Sequence, residues 1–124
     1  MSNTERNTVN TEFPTINRSA LVLEPVEGFL EWARSGPEGD SGLAVDELRD
    51  DSTAYLIPEL DTEPEKWLKR HYAAMFEHEL WSWCTDETLW PEDRSYRAFK
   101  RFFRVRFCSV VVDMGRGRIA RDTE

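Results

Sequence analysis

The amino-acid sequence predicts an α+β fold, a two-layer sandwich in which helices cover a small sheet of about three strands. Three short apolar runs, SALVLE, TAYLIP and VRFCSVVV, have the length and the β-branched or aromatic content of strands. Apolar residues at helical spacing occupy the segments between these runs. Because three short strands cannot build two sheets, we expect one small sheet and the order strand, helix, strand, helix, helix, strand.

The chain has 124 residues, enough for one domain that buries roughly 65% of its unfolded surface without help from disulfides or metal. We place this α+β domain at residues 18–114. Residues 1–17 are polar and rich in Thr and Asn, so we interpret them as a mobile tail that could also serve as a partner arm. Residues 115–124 follow the last strand and are interpreted as a second mobile tail.

The first half of the domain opens with a strand at residues 19–24, apolar on both faces and ended by Pro25. A helix follows, whose apolar face consists of Val26, Phe29, Leu30 and Ala33. The next loop, SGPEGDSG, has regularly spaced glycines, but it is acidic, follows a helix and lacks the lysine of a phosphate-binding loop. Residues 43–49 can form a short helix before the second strand, TAYLIP.

A long helix is predicted to begin near Glu63. Thr62 and Glu65 have the spacing of a capping box, and Pro64 suits the first turn. The apolar stripe of this helix comprises Leu68, Tyr72, Met75, Phe76, Leu80 and Trp83. Trp67, Trp81 and Cys84 widen the stripe near the ends, which predicts that more than one element covers the helix.

A connector, TDETLWPEDR, separates the long helix from a second, basic helix. The chain should turn at Trp90, because proline disfavours helical geometry at the residue before it. Asp93 or Ser95 can cap the second helix, whose aromatic face comprises Tyr96, Phe99, Phe102 and Phe103. A strand at residues 105–112 then closes the domain, and its second half is apolar on both faces, which predicts a central strand.

Composition restricts the classes of function. The net charge of −8 and the pI near 4.8 disfavour general affinity for nucleic acid or for anionic membrane. The first residues, MSNTERNTVNTEF, lack the apolar core of a signal peptide, and no stretch approaches the roughly 20 apolar residues of a membrane span. We therefore expect a cytoplasmic protein. Cys84 and Cys108 are expected to be reduced thiols in the core, since no CxxC spacing indicates a redox pair.

Several separated motifs, in this order, resemble a family of small uncharacterised bacterial proteins. They are NRSALVLEP, FLEW, LRDDSTAYLIPE, MFEHELWSW, TDETLWP and FKRFFRVRFCSVVVD, and together they extend from about Asn17 to Asp113. The resemblance implies a bacterial origin and one compact α+β domain. It implies no activity, and therefore no functional residue.

Carboxylates concentrate around the connector, beside Trp81, Trp83 and Trp90. They are Glu77, Glu79, Asp86, Glu87, Glu92 and Asp93. A pocket walled by tryptophans could raise the pKa of one carboxyl for general acid chemistry while another stays ionised. The alternative is a solvated, capped turn that the aromatic residues attach to the core, and we favour it because no spacing fixes the separation of any two carboxylates.

The two histidines do not indicate a metal site. His71 and His78 are two helical turns apart, about 10 Å along the axis, which is too far to bind one metal ion together. His78 could approach Asp86 or Glu87 at the end of the helix, giving weak catalytic candidates in Glu77, Asp86, Glu87 and His78. No cofactor or metal is predicted, so we expect purified protein to contain no stoichiometric zinc or iron.

The distribution of charge is uneven. Residues 94–121 contain nine basic residues and one acidic residue, whereas residues 1–93 contain seven basic and twenty-one acidic residues. Such asymmetry indicates an interaction surface or a basic helix that neutralises acidic neighbours within the domain. The partner-binding candidates are Arg94, Arg97, Arg101 and Arg104, which would form one edge of a helix, together with Trp90.

These observations predict a non-catalytic domain that binds a protein partner or a second copy of itself. An enzyme that uses the connector carboxylates is the second hypothesis. A weak nucleic-acid binder that uses the basic segment is the third.

Overall fold

The computed structural model of the protein describes residues 13–36 and 51–122. Within them the strands are β1, Ser19–Pro25; β2, Thr53–Ile57; and β3, Phe103–Cys108. The helices are α1, Glu27–Ser35; α2, Pro64–Trp83; and α3, Tyr96–Phe102, and a 3-10 turn spans Glu87–Leu89. The strands form one antiparallel sheet in the order β2-β1-β3. The predicted α+β fold and order of elements are confirmed.

The core lies between the sheet and the helices. Leu21 and Leu23 of β1 are almost fully buried, and they face the helices because alternate residues of a strand point to the same side. The stripe predicted for α2 is buried at Leu68, Met75, Phe76 and Leu80, and half-buried at Tyr72 and Trp83. Phe99, Phe102 and Phe103 complete the core. The predicted burial of both aromatic helices against the sheet is therefore confirmed.

One glycine allows α1 and α3 to pack closely. A Cβ atom on Gly28 would lie 2.5 Å from the carbonyl oxygen of Arg101 and 3.2 Å from Cδ1 of Phe102. Since the first of these atoms belongs to the backbone, no side-chain movement could relieve the contact. Glycine at this position therefore sets the distance between the two helices.

The predicted last strand was displaced and wrongly placed in the sheet. The prediction was a central strand at residues 105–112, whereas β3 spans Phe103–Cys108 and lies at an edge. The helix ends at Phe102, and Phe103 enters extended geometry with its N–H donated to the carbonyl oxygen of Phe99. β1, which is apolar along most of its length, takes the central position instead, and the exposed Arg104 and Arg106 suit the solvent side of an edge strand.

The two chain segments that flank the β1–β3 pair continue alongside each other. Thr15 bridges Val112, the Ile16 N–H donates to the Val111 carbonyl oxygen at 2.9 Å, and the Asp113 N–H donates to the Pro14 carbonyl oxygen at 2.9 Å. The register differs by one residue from that of the main pair, which is a β-bulge arrangement. We call residues 13–16 and 110–114 the terminal ribbon.

The predicted capping box of the long helix was wrong. Glu63 is the N-cap and has no side-chain capping bond, while the Thr62 hydroxyl donates to the Glu63 carbonyl oxygen at 3.4 Å. Glu65 instead accepts a hydrogen bond from the Tyr96 hydroxyl and pairs with Lys100 at 3.7 Å. This tertiary contact between α2 and α3 removes the glutamate from the local cap.

Three predictions lie wholly or partly outside the described residues. They are the short helix at residues 43–49, most of the glycine-containing loop, and residues 1–12 of the predicted tail. In the described part of the chain, no helix is long and apolar enough to cross a bilayer.

Candidate functional site

Two of the connector carboxylates, Asp86 and Asp93, accept hydrogen bonds from neighbouring turn residues. Asp86 accepts hydrogen bonds from the Thr88 hydroxyl at 2.6 Å and from the Thr88 N–H at 3.1 Å, and these bonds hold the pKa of Asp86 below its ordinary value. Asp93 accepts from the Ser95 N–H at 3.1 Å, and hydrogen bonds from Ser95 likewise lower the pKa of Asp93. A general acid needs a raised pKa, so the shifts run opposite to what that chemistry requires.

Tryptophans attach the connector to the domain. The Trp90 indole N–H donates to the Cys84 carbonyl oxygen at 2.8 Å, and the Trp32 indole N–H donates to the Leu89 carbonyl oxygen at 3.0 Å. Both rings pack against the core. Glu77 lines a cleft of about 220 Å³ with Ala73, Phe76 and Arg94, away from the turn that holds Asp86 and Glu87.

The four candidate arginines do not form the predicted helical edge. Only Arg97 and Arg101 lie in α3, because the helix spans Tyr96–Phe102. Arg94 lies before the helix, donates to the Pro91 carbonyl oxygen at 2.7 Å and sits 5.7 Å from the centre of the Trp90 ring. Arg104 lies in β3 and pairs with Glu24 at 3.3 Å.

Part of the basic charge is neutralised within the domain. Arg106 joins Arg104 on Glu24, at 3.7 Å, and Lys100 pairs with Glu65. Among the described residues, Arg116, Arg118 and Arg121 have no ion pair. The uncompensated positive charge is thus carried partly by the segment after the terminal ribbon.

A shallow groove lies between β2 and α2. Its volume is about 370 Å³. It is lined by Tyr55, Leu56, Ile57, Trp67, His71, Ala74, Met75 and His78. Apolar side chains dominate this lining, and three polar groups, one phenol and two imidazoles, interrupt it, which is the usual composition of a binding site.

The groove follows the outer edge of β2. Successive side chains of a strand point to opposite faces of the sheet, yet three successive residues, Tyr55, Leu56 and Ile57, all line it. A surface that contacts both faces of one strand must pass around that strand's edge. In the described part of the chain β2 pairs with β1 alone, and no described residue pairs with its outer edge.

Three polar side chains meet at one wall of the groove. The Tyr55 hydroxyl donates to the Glu79 carboxylate at 2.6 Å and lies 3.1 Å from Nδ1 of His78. Because the phenol has a single proton, which Glu79 receives, His78 Nδ1–H is the donor to the phenol oxygen. Burial, the hydrogen bond to Glu79 and the negative charge of Glu79 raise the pKa of Tyr55 above its ordinary value.

The histidines and Trp81 lie on a second stripe of α2. This stripe consists of Trp67, His71, Ala74, His78 and Trp81, at spacings of four, three, four and three. The Trp67 and His71 rings stack at 4.1 Å, and Trp81 is 56% exposed. His78 therefore meets Tyr55 and not Asp86 or Glu87. This repeat could have indicated the groove from the sequence, but the broader apolar stripe of the same helix made it hard to recognise.

Replacing Tyr55 with phenylalanine is expected to lower the free energy of unfolding by about 1 kcal/mol at neutral pH, because Glu79 and His78 lose their shared partner. The raised pKa means that the phenol contributes stability below its unfolded pKa of 10.0, and that this contribution is lost as pH rises through the folded value. Wild-type stability should thus fall more steeply than that of Tyr55→Phe above pH 10.0. Urea unfolding at several pH values measures both effects, and parallel curves would contradict the assignment.

Within residues 13–36 and 51–122, no group of three or more His, Cys, Asp or Glu residues could hold a metal ion. Cys84 is buried as predicted, but Cys108 is exposed, because it lies at the end of an edge strand. No family model, curated protein or solved structure matches the chain. The chain is thus defined by its fold, a small α+β domain with a three-stranded antiparallel sheet, and the resemblance to bacterial proteins stays an expectation.

Proposed function

We propose that the protein is a non-catalytic binding domain that takes up an extended segment of another polypeptide along the outer edge of β2. The segment would add a strand to the sheet through backbone hydrogen bonds and place alternate side chains in the groove. The observation that carries this proposal is the path of the groove around the β2 edge, at Tyr55, Leu56 and Ile57.

The composition of β2 supports strand addition. Edge strands that must avoid pairing usually carry charges, proline or a bulge, whereas TAYLI contains no charged residue and no proline. Its side chains also offer apolar contact, since Leu56 is 50% exposed. A segment that pairs here would satisfy free backbone groups and cover exposed apolar surface together. The two free cysteines agree with a reducing compartment, so we expect this binding to occur in the cytoplasm.

Two neighbouring alanines on α2 provide a matched test. Ala74 lines the groove, whereas Ala73 lines the cleft beside Glu77 and Arg94, and both are exposed. Glutamine is a good helix former, so either replacement should leave the fold intact. In Ala74→Gln, however, the longer side chain projects into the groove.

The experiment selects linear peptides from a displayed random library on the wild-type protein. Selected peptides should bind Ala74→Gln at least about tenfold more weakly, a difference of roughly 1.4 kcal/mol, and bind Ala73→Gln like the wild type. Amide hydrogen exchange in β2 should slow when peptide binds, because added backbone hydrogen bonds protect those groups. The proposal is overturned if no peptide is enriched, if the two variants bind equally, or if protection appears at Arg97 and Arg101 instead of β2.

A further inference from the structure

We propose, on the basis of the proposed function, that the groove accepts residues 110–114 of a second copy of this chain. One molecule would then supply the acceptor, the β2 edge, and its neighbour would supply the donor, the terminal ribbon. The described residues contain both surfaces of such a contact. β2 is at one edge of the sheet, and residues 110–114 follow β3, which is at the other edge.

The donor segment has the alternating exposure of a strand with one apolar face open to solvent. Val110, Val112 and Met114 are 62%, 48% and 67% exposed, while Val111 and Asp113 between them are half-buried. This alternation places three apolar side chains on one face. Large apolar side chains grouped in this way mark an interaction site more often than scattered ones do. The segment pairs with residues 14–16 along one edge, and its other edge is unpaired among the described residues.

The acceptor suits these side chains. The groove presents the exposed Leu56 and the half-buried Trp67 as apolar contacts, above the buried Ile57 and Met75. Valine is small and methionine is flexible, so both can pack against such a surface, and neither carries a charge. Paired charges of the kind that protect β3 at Arg104 and Arg106 are absent from the donor segment itself.

Charge complementarity fixes the direction of the contact. Glu59, Asp61 and Glu63 follow β2 at one end of the groove, and all three are exposed. Arg116, Arg118 and Arg121 follow the donor segment. A donor strand that runs parallel to β2 brings the basic group beside the acidic group. Lys66 and Arg70, on the first turns of α2, offset part of the acidic charge, so we expect a moderate salt dependence.

A symmetric contact between two β2 strands is disfavoured by the same charges. Antiparallel pairing would bring Asp51, before β2 in one copy, towards Glu59 and Asp61, after β2 in the other. A symmetric, antiparallel contact between two terminal ribbons would likewise bring Arg116 and Arg118 of one copy towards Arg106 in β3 of the other. A head-to-tail contact avoids both repulsions, and such contacts generate rings or open chains instead of closed dimers.

Mixing two damaged variants tests the head-to-tail arrangement. Ala74→Gln blocks the acceptor, and Val112→Lys places a charge on the donor face. The wild type should show a concentration-dependent rise in sedimentation coefficient, and each variant alone should lose it. An equimolar mixture should form dimers and nothing larger, because Ala74→Gln supplies an intact donor and Val112→Lys supplies an intact acceptor. Ile119→Lys is the control, since Ile119 is also exposed, at 62%, but lies beyond the ribbon within the basic segment, so this variant should associate no more weakly than the wild type.

The outcomes separate this inference from the proposed function. A wild type that stays monomeric, a mixture that stays monomeric, or equal loss in Ile119→Lys overturns the second-copy occupant, while library peptides that still bind the groove leave the binding function intact. If association persists in both single variants and disappears in Arg97→Gln/Arg101→Gln, the basic face of α3 is the surface through which the copies associate.

Discussion

Replacing Phe76 with alanine is expected to lower the free energy of unfolding by about 3–5 kcal/mol, the range for a large buried aromatic residue. Phe76 is 1% exposed, and its ring centre lies 5.6 Å from that of Phe99, 5.3 Å from that of Phe102 and 5.9 Å from that of Phe103. These contacts join α2 to α3 and to β3, so the cavity would form where three elements meet. Relaxation of one element could not fill it without moving the other two.

Because the free energy of unfolding of a small domain is only about 5–15 kcal/mol, this change should remove a large part of the stability. Urea unfolding followed by circular dichroism measures the loss. Phe13→Ala is the control, since Phe13 is 49% exposed, and it should stay within about 0.5 kcal/mol of the wild type. A loss below about 1 kcal/mol in Phe76→Ala would contradict a core organised around this ring.

The sequence predicted those elements whose periodicity agrees with their packing. The first strand and the long helix have apolar patterns that their tertiary contacts preserve, and both were placed within one or two residues. The end of α3 was different, because Phe103 fits the aromatic face of a helix and an alternating strand equally well. Its conformation depends on pairing with Pro25 of β1, a residue 78 positions earlier in the chain. Local pattern contains no information about that contact.

The candidate site was predicted less well, for a related reason. Tyr55 and His78 lie on different elements, and only the packing of β2 beside α2 brings the phenol to the imidazole. Spacing within α2 placed His71 and His78 two turns apart, but it could not show that β2 forms the opposite wall of the groove. The connector carboxylates were conspicuous as a cluster, and two of them, Asp86 and Asp93, accept hydrogen bonds from neighbouring turn residues.

The connector and the groove also differ in which polar groups are already satisfied. The indole N–H groups of Trp90 and Trp32 donate to backbone carbonyl oxygens in the connector or next to it. These two rings therefore have a structural role. Along β2, in contrast, the described residues leave one side of the backbone without partners. Free backbone groups beside an apolar wall favour association there over association through the tryptophan-rich turn.

Replacing Trp90 with alanine is therefore expected to lower the free energy of unfolding by about 2–3 kcal/mol, below the roughly 3–5 kcal/mol for a fully buried tryptophan, because Trp90 is only half-buried. Trp90→Phe keeps most of the ring contact but loses the indole donor to the Cys84 carbonyl oxygen, and it should cost about 1 kcal/mol. Trp81→Ala is the control, since Trp81 is 56% exposed and a surface change should stay within about 0.5 kcal/mol.

Sedimentation of the same variants separates a structural role for Trp90 from the partner-binding role that the sequence suggested. If Trp90 holds the connector on the core, Trp90→Phe should associate like the wild type and bind the selected peptides equally well. If the ring instead contacts a partner, Trp90→Phe should weaken association while stability changes little, since tryptophan contacts at interfaces lose affinity on truncation. We expect the first outcome, because the ring's N–H and much of its surface are already engaged within the domain.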